Sequence, residues 1–82
     1  MSAPAFTIYS RPGCHLCDDM KATVGALAAS LGTTVEEIDI TVDADLEARY
    51  GAEIPVLFIN GRKAFKYRVS PAELSRYLGR HG

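Results

Sequence analysis

Ala5-Phe6-Thr7-Ile8-Tyr9-Ser10-Arg11-Pro12-Gly13-Cys14-His15-Leu16-Cys17 decides how this chain begins to fold. Ala5 to Tyr9 is rich in β-branched and aromatic side chains and reads as a strand. Ser10 to Gly13 reads as a turn, because adjacent proline and glycine punctuate a chain strongly. A helix is predicted from about Cys14 to Leu31, where Leu16, Met20, Val24, Leu27 and Leu31 recur at helical steps and form a core-facing stripe. Gly32 supplies the stop. Gly25, inside the helix, is either a soft spot or a point of close packing.

Outward from this unit the signals stay regular. Val35 to Ile40 reads as a second strand, with Ile38 and Ile40 on one face. Asp43 is positioned to cap a short helix through Tyr50, ended by Gly51. Strand, helix and strand in this order form a βαβ unit with a right-handed crossover. Pro55-Val56-Leu57-Phe58-Ile59 is a continuous apolar run suited to a central strand covered on both faces. Asn60-Gly61 is a hairpin signal, since a type I′ turn needs positive φ twice. The return strand, roughly Lys63 to Tyr67, carries charges suited to an exposed edge. Ser70-Pro71-Ala72-Glu73 opens a last helix with a capping box, and Leu74, Tyr77 and Leu78 give that helix its apolar side. The predicted order is β-α-β-α-β-β-α, a single α/β domain over residues 1–82.

A chain of 82 residues buries about 60% of its unfolded surface and folds without staples in many cases. No apolar run reaches the roughly 18 residues of a membrane span. Met1-Ser2-Ala3-Pro4 lacks the features of a signal peptide, so the expected location is the cytoplasm, where thiols are kept reduced. Charge is unevenly spread: residues 1–50 hold 3 basic and 8 acidic side chains, whereas residues 51–82 hold 6 and 2. Arg62, Lys63, Lys66 and Arg68 form one basic cluster. That footprint is small for a nucleic-acid partner, and none is expected.

The two cysteines, Cys14 and Cys17, point to chemistry rather than architecture. A bridge between them closes a very short loop and gains little entropy for the fold. They sit where a strand and turn deliver a helix, whose N-terminus has unpaired N–H groups and partial positive charge. Both favour a thiolate, the species that attacks a disulfide. Cys14 is therefore the expected nucleophile, and Cys17, about one helical turn further in, the expected resolving thiol. His15 adds positive charge when protonated. Asp18 and Asp19 either complement the helix end or oppose the thiolate. Arg11 is either a solvated loop charge or a group that stabilises the thiolate and holds a carboxylate of the substrate. Pro55 either opens its strand simply or follows a cis Ile54–Pro55 bond.

Taken together, Tyr9 to Cys17, Tyr50-Gly51-Ala52-Glu53-Ile54-Pro55-Val56 and Leu57-Phe58-Ile59-Asn60-Gly61 resemble the glutaredoxin family of the thioredoxin superfamily. The resemblance spans almost the whole chain, and the chain looks most like the small bacterial glutaredoxin-like proteins. It implies a thioredoxin-like fold: a four-stranded mixed sheet in α/β/α layers with three helices. It implies a cis Ile54–Pro55 bond lying against the cysteine pair, with the Ile54 backbone receiving the extended backbone of a substrate such as glutathione. It also implies glutathione-linked reduction of disulfides. Two departures stand out. His15-Leu16 replaces the usual proline–aromatic pair, and the family's glycine pair and acidic residues fall at Phe65-Lys66 and Arg68-Val69. Efficient glutathione binding is therefore not carried over.

The expected activity is thiol–disulfide exchange by a monomer with no bound cofactor or metal. Glutathione or another low-molecular-weight thiol serves as co-substrate, and a disulfide-containing protein or small thiol as partner. Two other readings stay open. One is a metal or iron–sulfur module in which two chains share their Cys14/Cys17 pairs, because His81 is the only histidine besides His15 and one chain lacks a second half-site. The other is a redox-independent interaction domain using the basic 62–68 hairpin.

Overall fold

The computed structural model describes residues 3–81, the side chain of His81 excepted. The strands are β1 (Phe6–Ser10), β2 (Val35–Asp39), β3 (Val56–Ile59) and β4 (Arg62–Lys66). The helices are α1 (His15–Ser30), α2 (Ala44–Tyr50) and α3 (Pro71–His81), with a 3₁₀ turn at Ile40–Val42. The sheet order is β2-β1-β3-β4. β1 and β2 are parallel, whereas β1 pairs with β3, and β3 with β4, antiparallel. This is the thioredoxin-like α/β arrangement expected.

The alternation of the strands divides the interior in two. Phe6, Ile8, Leu57 and Ile59 point to the face covered by Met20, Val24 and Ala28 of α1 and Leu74 of α3. Ile8 lies directly opposite Leu57 in the ladder, and both are fully buried. Toward α2, Tyr9 stacks on Tyr50 with ring centroids 4.6 Å apart. Phe58 meets both rings edge-on, at 5.3 and 5.9 Å.

Local signals decide the boundaries. Asn60 and Gly61 both have positive φ, 52° and 80°, as a type I′ turn demands. The Asn60 side chain also accepts the Ala5 N–H at 2.9 Å, tying the hairpin to the entry of β1. Ser70 and Glu73 form the reciprocal capping box: the Glu73 N–H donates to Ser70 Oγ at 3.1 Å, and the Ser70 N–H to Glu73 Oε1 at 3.0 Å. Asp43 caps α2 through the Asp45 N–H at 2.8 Å.

Three expectations need correcting. The buried line of α1 is Cys17, Met20, Val24 and Ala28, whereas Leu31 lies beyond the helix and is 42% exposed. Met20 and Val24 of the expected stripe are buried, but the helix turns its Cys17 side inward, so Cys17 and Ala28 complete the line while Leu27 is only partly buried. β2 ends at Asp39, whose carboxylate accepts the Thr41 N–H at 2.8 Å and starts the 3₁₀ turn; Ile40 is still fully buried. β4 runs from Arg62 to Lys66, and a register shift opposite Leu57/Phe58 alters its pairing with β3.

Gly25 proves to be a soft spot. A β-carbon added there would meet nothing within 4 Å. Gly25→Ala is therefore expected to stabilise the fold by about 0.5–1 kcal/mol, through the lower backbone entropy of alanine in a helix. Denaturant unfolding of both proteins in the same redox state checks this, and a loss of stability would mean hidden crowding.

Candidate active site

The end of β1, the start of β3 and the end of β4 meet at one end of the sheet. Tyr9 pairs with Val56, and Val56 pairs with Lys66. The segments continuing from these residues therefore gather there: the Ser10–Gly13 turn carrying Cys14, the Ile54–Pro55 segment, and Tyr67. Ile54–Pro55 is cis, in agreement with the family resemblance. The Tyr67 N–H donates to the Pro55 carbonyl at 2.8 Å, joining the last two segments.

Cys14 is the N-cap of α1, with extended backbone (φ −98°, ψ 113°). Its Sγ accepts the Cys17 N–H at 3.1 Å, so the sulfur takes the place a serine or aspartate oxygen commonly fills at a helix start. The two sulfurs are joined as a disulfide, with Cα atoms 5.2 Å apart. Exposure separates them: Cys14 is partly exposed, whereas Cys17 is 2% exposed and faces the core. Of the two residues, Cys14 is the one open to solvent. When its sulfur is a thiolate, the helix end and the Cys17 N–H favour its charge.

His15 opens α1 and is exposed, and Asp18 in the first turn and Asp19 after it are exposed as well. Arg11 forms an ion pair with Glu47 of α2. Gly51 makes room for that pair, since a β-carbon there would lie 2.9 Å from Glu47 Oε1 and 3.3 Å from Arg11 Nη2. Neither partner is local in sequence, so no pattern near Arg11 could have announced the contact. Ser10 is buried and donates to Glu37 Oε2 at 3.2 Å; Lys21 holds the other oxygen of Glu37 at 3.0 Å.

On the far side of the cis bond, Glu53 pairs with Lys63. That hydrogen bond holds the Glu53 carboxyl below its ordinary pKa, helped by the charges of Lys63 and Lys66. Ile54 is partly buried, and its backbone makes no hydrogen bond to another described residue. Phe65 and Lys66 are regular strand residues of β4. The left-handed position falls one residue on, at Tyr67 (φ 69°), and sequence reading missed it because tyrosine rarely adopts that conformation. Among the described residues, no group of three or more His, Cys, Asp or Glu comes together to hold a metal.

The glutaredoxin-like domain family (DUF836) matches residues 5–79, both cysteines and the Ile54–Pro55 segment included. The chain belongs to this family. As a glutaredoxin-like domain it has close structural company. A structural-genomics target protein from X. campestris is 34% identical and covers 95% of this chain and 100% of its own, with a TM-score of 0.75. A protein from Nitrosomonas europaea is 26% identical over 94% of this chain and 93% of its own, with a TM-score of 0.79. An uncharacterized protein of Mycobacterium tuberculosis is 28% identical over 98% of this chain and 88% of its own. Oxidized glutaredoxin 2 from Chlamydomonas reinhardtii shares the fold at a TM-score of 0.63, with 22% identity over 90% of this chain and 74% of its own. A glutaredoxin-like domain with paired cysteines at a helix N-terminus supports a thiol redox role. No described helix is long and apolar enough to cross a membrane.

Proposed function

We propose that this protein is a dithiol–disulfide oxidoreductase in which Cys14 is the nucleophile and Cys17 the resolving thiol. The observation that carries this reading is the asymmetry of the pair. Cys14 is partly exposed, sits at the helix N-cap and accepts the Cys17 N–H at its sulfur, while Cys17 is 2% exposed.

The reaction balances in two exchanges. Cys14 thiolate attacks one sulfur of a substrate disulfide; a Cys14–substrate disulfide forms, and the other substrate sulfur leaves as a thiolate. Cys17, deprotonated, then attacks Cys14 Sγ, forms the Cys14–Cys17 disulfide and releases the second substrate thiolate. The substrate gains two electrons and two protons, and the protein loses them. Glutathione or another low-molecular-weight thiol restores the dithiol. The Ile54 backbone receives the extended chain beside the attacked sulfur, with Pro55 shaping that wall. Arg11 and His15 are the basic residues nearest Cys14 in sequence; the Glu47 carboxylate offsets much of the Arg11 charge, and His15 favours the Cys14 thiolate only in its protonated form.

Cys17→Ser tests the order of events. Without the resolving thiol, the first exchange still occurs and the second does not. Cys14–substrate mixed disulfides are expected to accumulate as stoichiometric adducts in intact-mass spectra, while turnover by the dithiol route disappears. Adducts on Cys17 in a Cys14→Ser protein, with none in Cys17→Ser, would reverse the assignment.

A further inference from the structure

Leu16, between the two cysteines, lines a cleft of about 160 Å³ with Asp19, Met20 and Thr23 of α1 and with Tyr67, Arg68 and Val69 from the segment after β4. Tyr67 is fixed at its rim. Its N–H donates to the Pro55 carbonyl at 2.8 Å and its hydroxyl to the Ala52 carbonyl at 3.1 Å, yet the residue remains 42% exposed. Lys66 Nζ lies 5.5 Å from the Tyr67 ring centroid.

The charges at this rim are available. Among the described residues, ion pairs engage Arg11, Lys21 and Lys63. Lys66 and Arg68 belong to none and are exposed. Asp19 is the single carboxylate lining the cleft. The basic surface continues onto α3, where Arg76 and Arg80 border a neighbouring cleft with Glu73. The opposite edge of the sheet, β2, carries Glu36, Glu37 and Asp39. The protein is thus electrically lopsided across the cysteine pair: Lys66 and Arg68 stand on its β4 side, whereas Asp18, Glu37 and Asp39 line a cleft with Ser10 to Gly13 on its β2 side.

We propose that the preferred substrate is a disulfide within an acidic polypeptide segment, which lies along the Ile54 backbone with its carboxylates against Lys66 and Arg68. This rests on the dithiol reading above and names its substrate class. Basic groups spread over β4, the following turn and α3 match a polypeptide better than a single small thiol. Fixed surface charge acts on encounter, so the selectivity falls mainly on the association step. The carboxylates on the β2 side repel an acidic partner and so direct it to the β4 side of the site, where Lys66 and Arg68 lie.

The test compares two synthetic peptides with the same cystine loop, one flanked by Asp and Glu and the other by Ser and Gly. Oxidation of the reduced full-length protein is followed by mass in single-turnover reactions. At low ionic strength the acidic peptide is expected to react roughly tenfold faster, within the usual range of electrostatic steering. That ratio should approach one between about 0.01 M and about 1 M salt, as the screening length contracts from about 30 Å to about 3 Å. The double variant Lys66→Glu/Arg68→Glu should bring the ratio to one or below. Arg49→Glu, one such charge reversal placed on α2, should leave the ratio nearly as it was, whereas Lys66→Glu or Arg68→Glu alone should lower it. Equal rates for the two peptides at low salt overturn the substrate class and leave the dithiol chemistry standing. Failure of both peptides to oxidise the protein overturns the dithiol reading instead, and the substrate class falls with it. Competition by a single-stranded oligonucleotide as strong as that by an acidic cysteine-free peptide would also overturn the proposal, by assigning the patch to nucleic acid.

Discussion

Cys14→Ser is expected to lower disulfide turnover by roughly a thousandfold or more, the scale on which removal of a covalent nucleophile acts. The substitution is well suited to separating chemistry from structure. Cys14 is the N-cap of α1, and its sulfur accepts the Cys17 N–H at 3.1 Å. Serine is among the preferred N-cap residues, and its hydroxyl can accept the same N–H. The helix start should survive, so stability should match that of the reduced parent to within about 1 kcal/mol. The serine hydroxyl is a weak nucleophile near neutral pH without an adjacent base, and the exchange loses its first step. Turnover of a small disulfide substrate, measured beside denaturant unfolding of both reduced proteins, checks the two halves together. Retained turnover would remove Cys14 from the chemistry.

Leu57→Ala is expected to destabilise the fold by about 2–5 kcal/mol, the range for emptying a leucine site in a packed core. Leu57 is fully buried in β3 and sits opposite Ile8 of β1, in the cluster covered by α1 and α3. Both strands are central, so the cavity has little freedom to collapse. Single domains have total stabilities of about 5–15 kcal/mol, so this one change removes a large share. At about 4–8 °C per kcal/mol for a domain of this size, the melting temperature should fall by about 8–40 °C. Val42→Ala, at a position 78% exposed, is the matched control and should change little. Similar small losses at both positions would mean that Leu57 is not part of the packed core.

The contrast between what was legible in the sequence and what was not follows the range of the interactions. The capping box at Ser70 and Glu73, the Asn60-Gly61 turn and the Asp43 cap are all set within four residues, and each forms as read. The Cys14–Cys17 pair was legible for the same reason: one turn of helix fixes both sulfurs. The inward rotation of α1 depends on how the helix settles on the sheet, and it buries Ala28 while leaving Leu31 exposed. The Arg11–Glu47 pair joins residues 36 positions apart and needs the space left by Gly51. Tyr67 adopts a left-handed conformation against its own preference, held by the Pro55 and Ala52 carbonyls. Both are products of tertiary structure, and Tyr67 shares a cleft with Leu16, between the two cysteines.

Titration of the protein in glutathione redox buffers, with the state of Cys14 and Cys17 read by intact mass, tests the dithiol couple most directly. A reversible loss of two hydrogens with a single midpoint is the expected result. Two thiols that stay reduced throughout the oxidising range, with neither an internal disulfide nor a glutathione adduct, would contradict it.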